Sequence, residues 1–217
     1  MNQSITTTVA GRRKTNIELL RLLSMFLILV VHADFWSLGA PTCQEFRESL
    51  LPSVTRILIE AISIVSVNVF IFISGWFTIK PTLKGFGNFI FQCGFFLIGI
   101  YVVMLVTGQA TLSLKGIAGC FCLTSSNWFI KAYIGLYILS PVLNLFVETS
   151  SKKQFGIILV SFFIFQTIYG LSGAAAFIEH GYSTFSFIGI YLLAQYVRHY
   201  ASVNYKWGGY SVSVLCL

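Results

Sequence analysis

Long apolar stretches, separated by short segments rich in basic or small residues, run the whole length of the chain. Six of them read as helical spans of about 30 Å of hydrocarbon, with some tilt or with protein shielding where the apolar stretch is short. They cover about Ile17–Trp36, Ile57–Ile79, Phe89–Val106, Trp128–Val147, Phe155–Leu171 and Phe185–Val197. A shorter apolar segment, Leu112–Leu123, holds Gly116 and Gly119 and reads as re-entrant, interfacial or an extension of a neighbouring helix. Gly208–Leu217 begins a seventh stretch but provides only about ten residues, against roughly twenty for a helical span. The pattern predicts an all-α polytopic transmembrane bundle, with six complete spans and a truncated seventh. Residues 1–16 form a basic N-terminal segment and residues 17–217 a partial membrane domain.

Composition supports this class. The chain is 56% hydrophobic and 10% charged, with a mean hydropathy of +0.82. Soluble domains carry about 25% charged residues, so a soluble fold is excluded. Twenty-one Phe and ten Tyr suit helices that present aromatic surface to lipid. The net charge of +7 reads as topology rather than nucleic-acid binding, because the basic residues fall in short clusters between spans.

Arg12, Arg13, Lys14, Lys80, Lys84, Lys152, Lys153, Arg198 and Lys206 fall on one side of an alternating topology. Arg47, Arg56 and Lys115 fall in loops on the other. The positive-inside rule therefore places the N-terminus in the cytoplasm, in a multi-pass protein of the cytoplasmic (inner) membrane. A cleaved signal peptide is the competing reading of the first stretch. Glu18 and Arg21 interrupt its apolar core and no small-x-small cleavage site follows, which favours a retained span. Five cysteines make neither a disulfide framework nor a metal site; Cys120-Phe-Cys122 lacks the usual two-residue gap and a nearby histidine.

Arg21 and His32 change the picture from membrane protein to candidate enzyme. Ionisable groups inside a span are costly and mark functional sites. The two lie eleven residues apart, close to three helical turns, so they share a face and stand about 16 Å apart along the axis. Glu18, Met25 and Ile28 complete the stripe. Arginine presents a planar, permanently charged fork suited to phosphates, and histidine is readily poised as a base near neutral pH. The plain structural alternatives are an Arg21 that snorkels to headgroups and a His32 satisfied by a neighbouring helix.

Secondary candidates line up behind the pair. Asp34 is two residues from His32, so it points elsewhere unless the helix ends there. Glu60 and Asn68 are polar groups in the second span that either line a cavity or bond a neighbouring helix, helix–helix hydrogen bonding being the equal or better role. Ser74 and Gly75 serve close packing or a donor site, with packing favoured. Trp128, Tyr133 and Tyr137 line an acceptor path or serve an aromatic belt and helix packing, with the belt and packing favoured. His180 and His199 are expected in loops.

These residues resemble acyltransferase family 3 of bacterial membrane enzymes. Arg21 and His32, with ten residues between them, follow a basic N-terminus as in that family. Asn68-Val-Phe-Ile-Phe-Ile-Ser-Gly-Trp-Phe77 is similar to its aromatic-rich Ser-Gly segment. Asn127-Trp-Phe-Ile-Lys-Ala-Tyr through Leu139-Ser-Pro141 is similar to its helix closing in Leu-Ser-Pro. The three matches fall in family order over about residues 16–200. Members carry more helices than this length accommodates, so the chain reads as a C-terminally truncated member.

The resemblance implies transfer of an acyl group, most often acetyl, from cytoplasmic acyl-CoA to a hydroxyl of a cell-surface carbohydrate. It implies no bound cofactor; acetyl-CoA or another acyl-CoA is a co-substrate. Arg21 would bind the CoA phosphates and His32 would be the general base, with an acyl-histidine left open. The alternatives are a proton-coupled carrier or flippase for a polar substrate, and an inert truncated chain.

Overall fold

A computed structural model describes residues 15–122, 124, 127–171 and 181–200, all of whose regular elements are helices. Ten helices occur among these residues: α1 (Thr15–Ala33), α2 (Phe35–Leu38), α3 (Cys43–Glu48), α4 (Leu50–Ser63), α5 (Ser66–Phe77), α6 (Leu83–Val106), α7 (Leu114–Cys120), α8 (Trp128–Thr149), α9 (Lys152–Leu171) and α10 (Thr184–Tyr200). They divide into two compact units, one ending at Ile73 and one beginning at Ser74.

Five helical stretches among the described residues are long and apolar enough to cross a bilayer: Asn16–Ala33, Leu50–Phe77, Leu83–Val106, Trp128–Thr149 and Lys152–Leu171. This is fewer than the six spans expected. The expected sixth forms α10, whose 17 residues reach about 25 Å at 1.5 Å per residue. Its apolar side chains serve the protein interior: Phe187, Tyr191, Leu192 and Ala194 are buried together with the polar Ser186 and Gln195. The expected seventh stretch, the basic N-terminal triplet and His180 lie outside the described residues. His199, expected in a loop, sits in the last turn of α10. The ambiguous Leu112–Leu123 segment forms the short helix α7, which packs on α6.

In the N-terminal unit α1 packs along α4, and α3 leads into α4. The capping box of α3 explains its sharp start: Thr42 Oγ1 accepts from Glu45 N, and Glu45 Oε2 accepts from Thr42 N at 2.6 Å and from Thr42 Oγ1 at 2.9 Å. These contacts hold the exposed Glu45 carboxyl below the usual carboxylate range, the Thr42 amide being the largest cause. The stretch from α4 to α5 is broken at Ile64–Val65, where Ser66 Oγ donates to the Ser63 carbonyl. A serine that bonds backbone in this way competes with the helical ladder.

The second unit is built around α10, which packs against α8 and α9. Phe155, Leu159 and Leu192 form a buried cluster, with Phe146, Tyr196 and Tyr200 against it. Gly189 is required there, because a Cβ would lie 2.4 Å from the Phe162 ring. Helix α8 continues through Pro141. A proline lacks the N–H that would bond the carbonyl four residues back, here Tyr137. Ser140 Oγ donates to that carbonyl at 2.7 Å. The Leu-Ser-Pro ending thus carries its own repair, as backbone in lipid demands.

Candidate active site

The α1 stripe forms as the sequence predicts, on a continuous helix from Thr15 to Ala33. Arg21 Nη1 lies 3.4 Å from Glu18 Oε2, a loose local pair with both side chains partly exposed. His32 Nδ1 lies 2.8 Å from the Ile28 carbonyl oxygen. A carbonyl oxygen only accepts, so this contact puts a proton on Nδ1, and in the neutral ring Nε2 is then the nitrogen that carries the lone pair. The bond also fixes the ring against its own helix.

Helix α1 ends one residue after His32, which is the condition under which Asp34 leaves the regular helical face. Asp34 does not turn to the imidazole. Its Oδ1 accepts from Arg56 Nε at 2.7 Å, and Arg56 Nη2 donates to the Gly39 carbonyl at 2.6 Å. Arg56, expected in a loop, lies within α4 because that helix starts at Leu50. It ties the α1–α2 turn to α4. Glu60, one turn further along α4, lies in the electrostatic reach of both Asp34 and His32. Its Oε2 is buried without a hydrogen-bond partner, as are Ser63 Oγ and Asn68 Oδ1. Unpaired polar atoms thus gather around the α4–α5 break.

The remaining candidates lie in the second unit. Tyr133 Oη reaches Ser74 Oγ at 3.5 Å, the outer limit of a hydrogen bond. Tyr133 also packs on Phe89 and Phe129, with ring centroids 5.2 and 6.0 Å away. Trp128 meets Tyr182 at 5.2 Å and Phe187 at 6.4 Å. These contacts serve the packing alternative for Trp128 and Tyr133. The same holds for Gly75, where a Cβ would lie 2.8 Å from Ala194 Cβ and 2.9 Å from the Tyr191 carbonyl oxygen.

A polar clamp lies just after the Ser-Gly segment, and its Thr78, Asn144, Tyr191 and Gln195 are not among the candidates read from the sequence. Thr78 has a φ of 62°, the left-handed region that β-branched residues avoid. Gln195 Nε2 donates to the Gly75 carbonyl and to Thr78 Oγ1, both at 2.8 Å. Arg198 Nη1 donates to the Trp76 carbonyl at 2.6 Å and to Thr78 Oγ1 at 2.9 Å. Two side chains of α10 thus bond carbonyls at the end of α5, where the Gly75 carbonyl also accepts from Thr78 N at 3.0 Å. Next to them, Tyr191 Oη accepts from Ile79 N at 3.2 Å and donates to Asn144 Oδ1 at 2.6 Å. Asn144 Nδ2 completes the ring on the Ile79 carbonyl at 2.9 Å. Tyr137 Oη accepts from Thr82 N and donates to the Thr82 carbonyl, each at 3.1 Å. The available signal was Asn144 and Gln195, two amide side chains within the mainly apolar sequences of α8 and α10.

The profile of acyltransferase family 3, described as an acyltransferase domain, matches residues 14–217. The chain belongs to this family. The match takes in both units, from the entry of α1 to the end of the chain, so the chain is a multi-pass membrane acyltransferase. No curated protein and no solved structure matches this acyltransferase.

Proposed function

We propose that this acyltransferase moves an acyl group, most simply acetyl, from acyl-CoA on the cytoplasmic side of the inner membrane to a carbohydrate hydroxyl. His32 is the general base and Arg21 the anchor for the CoA phosphates. The observation that carries the reading is the His32 Nδ1–Ile28 carbonyl contact of 2.8 Å. It supports an Nε2 lone pair as the proton acceptor, in a family whose reaction needs one.

The chemistry follows from that nitrogen. The acceptor O–H gives its proton to Nε2 as its oxygen bonds the thioester carbonyl carbon. The C–S bond then breaks, and the departing sulfur takes the proton from the imidazolium. A hydroxyl is a weak nucleophile without such help. Arg21 stands about 16 Å from His32 along α1, at 1.5 Å per residue. That distance suits a long donor held by its phosphates at one end and reacting at the other. Asp34, paired with Arg56, secures the turn after the base. Ser74, Trp128 and Tyr133 shape the packing of the second unit in this scheme.

The test uses membranes carrying the full chain and acetyl-CoA labelled in the acetyl group. Label entering extracted glycan, above membranes lacking the chain, supports the reading. Movement of a polar solute that needs no acyl-CoA supports a carrier instead.

A further inference from the structure

Resting on the reading of His32 as the base, we propose that Glu60 is a positioning residue that supplies the negative charge facing the imidazolium formed during transfer. The packing of α1 along α4 places Glu60 within electrostatic reach of His32 and Asp34, and Asp34 pairs with Arg56. The further charged groups on α1, Glu18 and Arg21, lie near its start and pair with each other.

Asp34 is committed elsewhere. Its Oδ1 lies 2.7 Å from Arg56 Nε, and the pair is largely shielded, with side-chain exposures of 24% for Arg56 and 16% for Asp34. That bond gives Asp34 its own cation, although its charge still acts on Glu60. Glu60 differs: its Oε2 is buried and accepts no hydrogen bond. A carboxylate removed from water without a cation is costly, and one facing a cation is not. The group that becomes cationic in the reaction is His32, which already interacts electrostatically with Glu60.

The proposed role acts through charge. The Ile28 carbonyl holds Nδ1–H, and a ring that acts as the base starts with Nε2 unprotonated. When the acceptor proton arrives on Nε2, the ring gains a full positive charge. Glu60 in its ionised form offsets that charge and stabilises the state in which the new C–O bond forms. When the proton leaves with the CoA sulfur, the ring and Glu60 return to their starting states, so protons balance over the cycle. Ser63 and Asn68, whose buried oxygens also lack partners, carry no charge and cannot serve this role.

The experiment compares Glu60→Gln, Glu60→Asp and His32→Ala in membranes with equal amounts of folded chain, checked by detergent-extracted gel filtration. Glu60→Gln keeps the shape and removes the charge. The expected result is a kcat at least about tenfold lower with the KM for acetyl-CoA within about twofold. Glu60→Asp should recover most of the lost kcat. Wild-type kcat in Glu60→Gln overturns the proposal, and so does an equal loss in Glu60→Gln and Glu60→Asp. His32→Ala separates the role of the base from the role of Glu60. Full transfer by that variant overturns the reading of His32 itself, whereas an inactive His32→Ala beside a fully active Glu60→Gln overturns the role of Glu60 alone.

Discussion

Arg56 Nε donates to Asp34 Oδ1 at 2.7 Å across 22 residues of chain, tying the end of the helix that carries His32 to the helix that carries Glu60. The pair is partly shielded, so loss of one partner should cost more than loss of both. Asp34→Leu should destabilise the N-terminal unit by about 1–3 kcal/mol by leaving Arg56 uncompensated. Asp34→Leu combined with Arg56→Leu should be less damaging than the two single effects summed. A double-mutant cycle on thermal unfolding in detergent checks this through its coupling energy.

Gln195 holds the end of α5 through the Gly75 carbonyl and Thr78 Oγ1. Gln195→Leu leaves that carbonyl without its side-chain donor and Thr78 in a disfavoured conformation. The expected loss is about 1–3 kcal/mol, read as a lower melting midpoint. Faster hydrogen exchange should be confined to the segment around Thr78, since local opening precedes global unfolding where support is lost.

Ser140 and Pro141 form a matched pair around the Tyr137 carbonyl. Ser140→Ala should destabilise α8 by about 1–2 kcal/mol, because a carbonyl freed by proline loses its donor. Ser140→Ala with Pro141→Ala should be less destabilised, since the second substitution brings back the missing backbone N–H. Melting curves of the two variants decide the order.

Which parts of the architecture can be read from sequence depends on where the signal lies. Helix α8 starts at Trp128 and α9 ends at Leu171, as apolar length predicts. Helix α6 starts at Leu83 rather than Phe89, because Thr82 caps it by accepting from Gly85 N. That is a local signal beneath the hydropathy pattern. Arg56 reads as a loop charge until its partner Asp34 is seen, and a pair so far apart in sequence leaves no periodic trace. The same holds for Gln195 and Thr78. Helix α10 has a span's composition but a core helix's burial, which hydropathy alone does not distinguish. The Arg21–His32 stripe was legible because both residues lie on one helix.

Glu45 gives the pH prediction. Its folded-state carboxyl lies below the usual range because Thr42 donates to it through both backbone and hydroxyl. A carboxyl depressed in the folded state stabilises α3 above its unfolded pKa. That contribution falls away as pH drops through the lower folded value. Amide exchange in residues 43–48 should therefore speed up in acid, relative to intrinsic exchange, and Glu45→Gln should remove the pH dependence.

In the proposed reaction His32 takes the acceptor's proton while Arg21 holds the donor. Steady-state transfer from labelled acetyl-CoA to glycan, measured for wild type, His32→Ala and Arg21→Ala at equal folded protein, tests these roles most directly. The predicted result is a kcat lower by about 10²–10⁴ in His32→Ala, the range for a lost general base. In Arg21→Ala the predicted result is a raised KM for acetyl-CoA. Equal transfer by all three proteins would contradict both roles.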